Sequence, residues 1–80
     1  MLTIYSIIQR EHDLSTGDAV VKLHARGTYD MVSKKLVNLK IRSQLNQGLT
    51  YYVCLFKDEQ SVIEMLKKDT IRKSKMYTKL

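Results

Sequence analysis

Thr28-Tyr-Asp-Met-Val-Ser-Lys-Lys-Leu-Val-Asn-Leu-Lys-Ile-Arg-Ser-Gln-Leu-Asn46 is the stretch that decides the fold of this 80-residue chain. Gly27 ends the segment before it, Thr28 is an acceptable helix N-cap, and Asp30 suits a helix start. Tyr29, Val32 and Leu36 fall at i, i+3 and i+7, a short helical stripe. From there the pattern divides. Val37, Leu39 and Ile41 alternate with Asn38, Lys40 and Arg42 at strand period, yet Leu39 also continues the helical stripe. One long helix over 28–46 would throw Val37, Ile41 and Leu45 onto the opposite face. A short helix followed by a strand accounts for more apolar positions and is the reading this pattern favours.

Outward from that stretch the signals are clearer. Asn46-Gln47-Gly48 is a turn cluster. Residues 50–57, Thr-Tyr-Tyr-Val-Cys-Leu-Phe-Lys, form the plainest strand, apolar on both sides and so predicted to be central or covered on both faces, with Val53, Cys54 and Leu55 buried. Asp58 is placed to cap a helix with Glu59 in its first turn, or Ser61 and Glu64 form a capping box, and Val62, Ile63 and Leu66 give that helix an apolar face. Toward the N-terminus, residues 2–10 are rich in β-branched and aromatic types and read as a strand. Gly17-Asp18 marks a turn, and residues 19–26 put Val21, Leu23 and Ala25 on one side, with Lys22, His24 and Arg26 on the other. A helix capped by Ser15 competes over 15–26, but Val20-Val21 is poor helix chemistry. The expected fold is a single α+β domain over 1–80. It has two layers, the order β-β-α-β-β-α, an antiparallel sheet, a C-terminal helix and a basic end at 67–80 that can extend that helix.

Composition limits the function classes. Lys and Arg number 14 against 8 Asp and Glu, a formal charge of +6. No apolar run approaches the roughly 18 residues of a membrane span, and Met1-Leu2-Thr3-Ile4-Tyr5 has no basic leader, so a signal peptide is not expected. One cysteine excludes an internal disulfide and suits a reducing, cytoplasmic setting. A chain this small has a thin core, and association into a homodimer is expected to support it.

Catalytic and cofactor signatures are sparse. Cys54, His12 and His24 have no metal-ligand spacing, and Gly17, Gly27 and Gly48 are isolated, so neither a metal, a nucleotide loop nor any cofactor is expected. Glu11-His12-Asp13 reads as a solvated turn. The strongest signal is basic residues interleaved with aromatics. Lys22, His24 and Arg26 share one strand face, and Lys40 and Arg42 another. Lys67, Lys68, Arg72, Lys73 and Lys75 crowd the C-terminal end, and Tyr52 and Tyr77 supply rings. Cationic surfaces with aromatic platforms hold single-stranded nucleic acid, because phosphates attract the charge and any base can stack. Ile71, Met76 and Leu80 are too few to make that end a membrane anchor.

Arg72-Lys73-Ser74-Lys75-Met76-Tyr77 resembles the basic-then-tyrosine ending of the RelE-type messenger-RNA-cleaving toxins. That resemblance implies a metal-independent ribonuclease using Lys, Arg and Tyr side chains, to which His24 would add a base. In that family the ending follows a strand; here it follows the predicted helix of 59–71. The leading expectation is a small basic module that binds RNA or single-stranded DNA without catalysis, of the size and charge of a viral or mobile-element accessory protein. The alternative is an inhibitor of a host factor with an acidic surface, contacted through a sheet edge or the apolar side of Tyr52 and Phe56.

Overall fold

The computed structural model describes residues 2–13, 15–68 and 76–80. The strands are β1 (Tyr5–His12), β2 (Ala19–Gly27), β3 (Leu49–Leu55) and β4 (Tyr77–Lys79), and the helices are α1 (Tyr29–Leu45) and α2 (Glu59–Lys67). All four strands pair antiparallel in the order β2-β1-β3-β4. The α+β class and antiparallel sheet agree with the sequence reading; the element order β-β-α-β-α-β does not.

The correction falls on residues 37–45. They continue α1 and form no strand. The segment from 28 to 46 holds no Gly or Pro and has three Lys and three Leu, with one Arg and one Gln, all of which tolerate a helix well. Packing settles the ambiguity: Val32 and Leu39 lie on one helix face and are buried against Ile7, Leu49 and Tyr51. Thr28 precedes the helix in an extended conformation but makes no side-chain capping bond. At the other end the Asn46 N–H donates to the Arg42 carbonyl at 3.1 Å, and the Ser43 hydroxyl donates to the Leu49 carbonyl at 2.8 Å. The chain thus passes from helix to β3 with little slack. Gly48 makes that passage possible. A Cβ there would sit 2.5 Å from the His12 carbonyl oxygen, too close for any larger residue without movement.

The sheet is covered on both sides, so the domain has three layers where two were expected. On one face α1 closes a cluster of Ile7, Val32, Leu39, Leu49 and Tyr51. On the other α2 closes Ile8, Tyr52, Cys54, Val62 and Leu66. Cys54 is buried as expected. Val53 packs at the margin of the α1-side cluster, and Leu55, at the strand's end, belongs to neither cluster; both are half-buried where full burial was expected. A short 3-10 turn, Phe56–Asp58, leads into α2. Asp58 holds the N-cap position of α2 but its carboxylate makes no capping bond.

The fourth strand comes from the cationic end. Tyr77–Lys79 pairs with Cys54–Tyr52 of β3, and the Leu80 N–H donates to the Tyr51 carbonyl at 3.0 Å. The last residues therefore finish the sheet and do not extend α2, which stops at Lys67. Among the described residues, no helix is long and apolar enough to cross a membrane.

Burial makes distinct demands on the core side chains. Tyr52 is 1% exposed and meets Tyr77 edge-on at 5.3 Å, so Tyr52→Ala should cost about 3–5 kcal/mol in urea unfolding. The Tyr51 hydroxyl is buried and has no hydrogen-bond partner among the described residues. Tyr51→Phe should therefore leave stability unchanged or raise it, because no hydrogen bond is lost and an unsatisfied group is removed. Burial pushes the Cys54 thiol up to about 11. Its labelling by a thiol reagent should be slow in the native protein and become fast only above the unfolding transition.

Candidate nucleic-acid interface

An irregularity in β2 sorts the cations. Between Ile7 and Ile8 of β1 the register shifts: Ile7 faces Ala25 while Ile8 faces Leu23, leaving His24 as an extra residue. Such a β-bulge breaks the alternation of sides. Lys22 lies opposite Gln9, on the α1 side of the sheet; Arg26 lies opposite Ser6, on the α2 side. The strand face expected to carry Lys22, His24 and Arg26 together is therefore split.

Arg26 has a different task. Its Nε and one terminal nitrogen donate to the two Glu59 carboxylate oxygens at 2.8 and 2.6 Å. The Ser6 hydroxyl donates to the same carboxylate at 2.5 Å, and the guanidinium lies 4.9 Å from the centre of the Phe56 ring. β1, β2 and the start of α2 are thereby clasped together. The Arg26 bonds, aided by that of Ser6, hold the Glu59 carboxyl below its ordinary value against the opposing effect of burial.

His24 remains on the α1 side, its ring edge-on to Tyr51 at 5.2 Å. Partial burial lowers the imidazole's pKa, and the charges of Lys35, Arg42 and Lys22 lower it further. That electrostatic neighbourhood defines the candidate site: Lys22 and His24 from β2, Lys35 and Arg42 from α1. Lys35 and Arg42 are seven residues apart, two turns of one helix face. Lys35 is not among the residues expected from the sequence, because residues 37–42 read there as a strand. Helical spacing from Arg42 was the signal that could have found it.

The other expected residues do not join this group. Lys40 and Arg42 share no face, because two residues apart on a helix are turned about 200° from one another. Tyr52 is buried in the α2-side core, so it is neither a stacking platform nor a protein contact. Tyr77 packs against Tyr52 from β4. Lys67 and Lys68 end α2 and are exposed. Arg72, Lys73 and Lys75 lie outside the described residues, as does most of the segment resembling the toxin ending. Of the five tyrosines only Tyr29 is exposed, at 67%, beside Tyr5 at 6.0 Å. No three His, Cys, Asp or Glu side chains among the described residues gather where they could hold a metal ion.

Compared with protein-family models, with curated proteins and with solved structures, the chain matches none.

The Arg26–Glu59 clasp makes stability depend on acid. A carboxyl whose folded pKa is depressed stabilises the protein above its unfolded pKa, and that contribution is lost as pH falls through the folded value. Urea unfolding across a series from neutral to acid pH should show this loss in the parent chain. Glu59→Gln should be less stable at neutral pH and should lack that part of the acid dependence.

Proposed function

We propose that this protein is a binding module, without catalysis, that holds RNA or single-stranded DNA by its phosphate backbone along the α1–β2 face. One observation carries the reading: the positive charges of Lys35 and Arg42 on α1 and of Lys22 on β2 all act on His24, lowering its pKa beyond what burial does. Clustered cations repel one another and favour an anionic ligand that neutralises them. A phosphate chain suits a row of such groups better than one small anion, because each cation can meet its own phosphate and release its own counterions.

The mode of binding differs from that expected of a tyrosine-bearing groove. With Tyr51 and Tyr52 in the core, no base can stack on them. Contacts to phosphates position a strand without reading its sequence. Binding should accordingly be tolerant of sequence and sensitive to salt.

Fluorescence anisotropy with a labelled single-stranded oligonucleotide tests this. Three permanent cations should give a log–log salt slope of about −2 on a single strand. Reversing Lys35 and Arg42 to Glu should abolish binding, while Arg26→Ala should lower stability and leave the slope as it was. His24 is charged only below its lowered pKa. Affinity should rise as pH falls through that value, and His24→Gln should remove the rise. No binding at low salt would overturn the proposal. Cleavage products that disappear in His24→Gln would replace it with the ribonuclease reading.

A further inference from the structure

The outward side of α1 carries a feature that phosphate binding does not use. Val37, Ile41 and Leu45 are 65%, 51% and 83% exposed. Spaced four residues apart, they form one continuous ridge about 12 Å long. Isolated exposed apolar side chains are ordinary; three in a row on one helix are a contact surface awaiting cover. The helix cannot turn to hide them, because Val32 and Leu39 on its other side are already in the core. Beside the ridge stand exposed Lys34 and Asn38 in one row, Lys40 and Gln44 in the other. The single acid of the helix, Asp30, lies in its first turn, two turns before Val37 at the N-terminal end of the same face.

We propose that this ridge docks an acidic amphipathic helix of another protein. The apolar ridge calls for apolar side chains at i, i+3, i+4 and i+7 on the partner, packed ridge into groove. Lys34 and Lys40 beside it call for Asp or Glu flanking those side chains. A second copy of this chain fits the ridge poorly. It would bring a second cationic face against the first, since each chain carries a charge of +6. Like charges brought together in this way oppose association. Nucleic acid would satisfy the lysines and leave the ridge exposed. A lipid surface would be entered by only three side chains, since the rest of the apolar residues of α1 near them face the sheet.

The test uses the full chain and two synthetic helical peptides with the same leucine face, one flanked by Glu and one by Lys. In amide nuclear magnetic resonance titrations the Glu peptide should shift signals of residues 34–45 in a saturable way. The Lys peptide should bind at least about tenfold more weakly, as expected for opposed charge. Replacing Val37 and Ile41 together by Gln, which keeps charge and helix propensity, should remove the Glu-peptide shifts and leave oligonucleotide binding unchanged. Because the two side chains are exposed, the variant should melt with the parent. Absence of shifts with the Glu peptide, or equal binding of both peptides, would overturn the proposal. So would a doubled light-scattering mass that the Gln variant abolishes, which would assign the ridge to a second copy. Binding to phosphatidylserine vesicles that the same variant abolishes would assign it to lipid. Loss of oligonucleotide binding with the ridge intact would count against the phosphate site alone.

Discussion

Ile7 and Ile8 are neighbours on the central strand, and each is 0% exposed. Successive side chains of a strand point to opposite faces, so one covering layer cannot bury both. Two helices are needed, one to each side, and the chain supplies them in turn: α1 returns over the Ile7 face, and α2 over the Ile8 face. Much of the architecture follows from that pair. β3 lies beside β1 and must also be apolar on both faces, as its Tyr51 and Tyr52 are. The tyrosines are thereby committed to the core, and the surface loses the rings that would have made it a stacking groove.

The register shift beside the same two residues governs the surface chemistry. By adding His24 to β2, it turns Arg26 toward α2 while Lys22 stays toward α1. One cation becomes a clasp with Glu59 and Ser6, a local and well-satisfied arrangement. The others stay available beside Lys35 and Arg42. A strand with perfect alternation would have placed all three basic groups on one side and left Glu59 without its guanidinium. The bulge thus separates a structural charge from charges open to a ligand.

α1 serves three directions at once. Its inner face closes a core, its side toward β2 bears Lys35 and Arg42, and its outer face bears the Val37–Ile41–Leu45 ridge. A helix can do this because residues one or two apart point in different directions. The same property made it hard to recognise. Apolar residues on two opposite faces leave no single stripe, and over 37–42 their spacing imitates the alternation of a strand.

Local chemistry determined a good part of this protein. β-branched and aromatic runs specified β1 and β3, and Gly17, with its positive φ of 78°, marked the turn between β1 and β2. The apolar surroundings of Cys54 foretold its burial, and Val62 and Leu66 foretold the inner face of α2. What only the tertiary structure decided were matters of partnership. Leu39 suits a helix or a strand equally until Ile7 and Tyr51 are set beside it. Tyr77–Lys79 is too short to announce itself as a strand and becomes one because β3 offers it an unpaired edge. The sorting of Lys22, His24 and Arg26 depends on one extra residue relative to β1, which is a relation between two strands. Period and propensity belong to a segment of sequence; register and burial belong to pairs of segments, and so neither could be read from β2 or α1 alone.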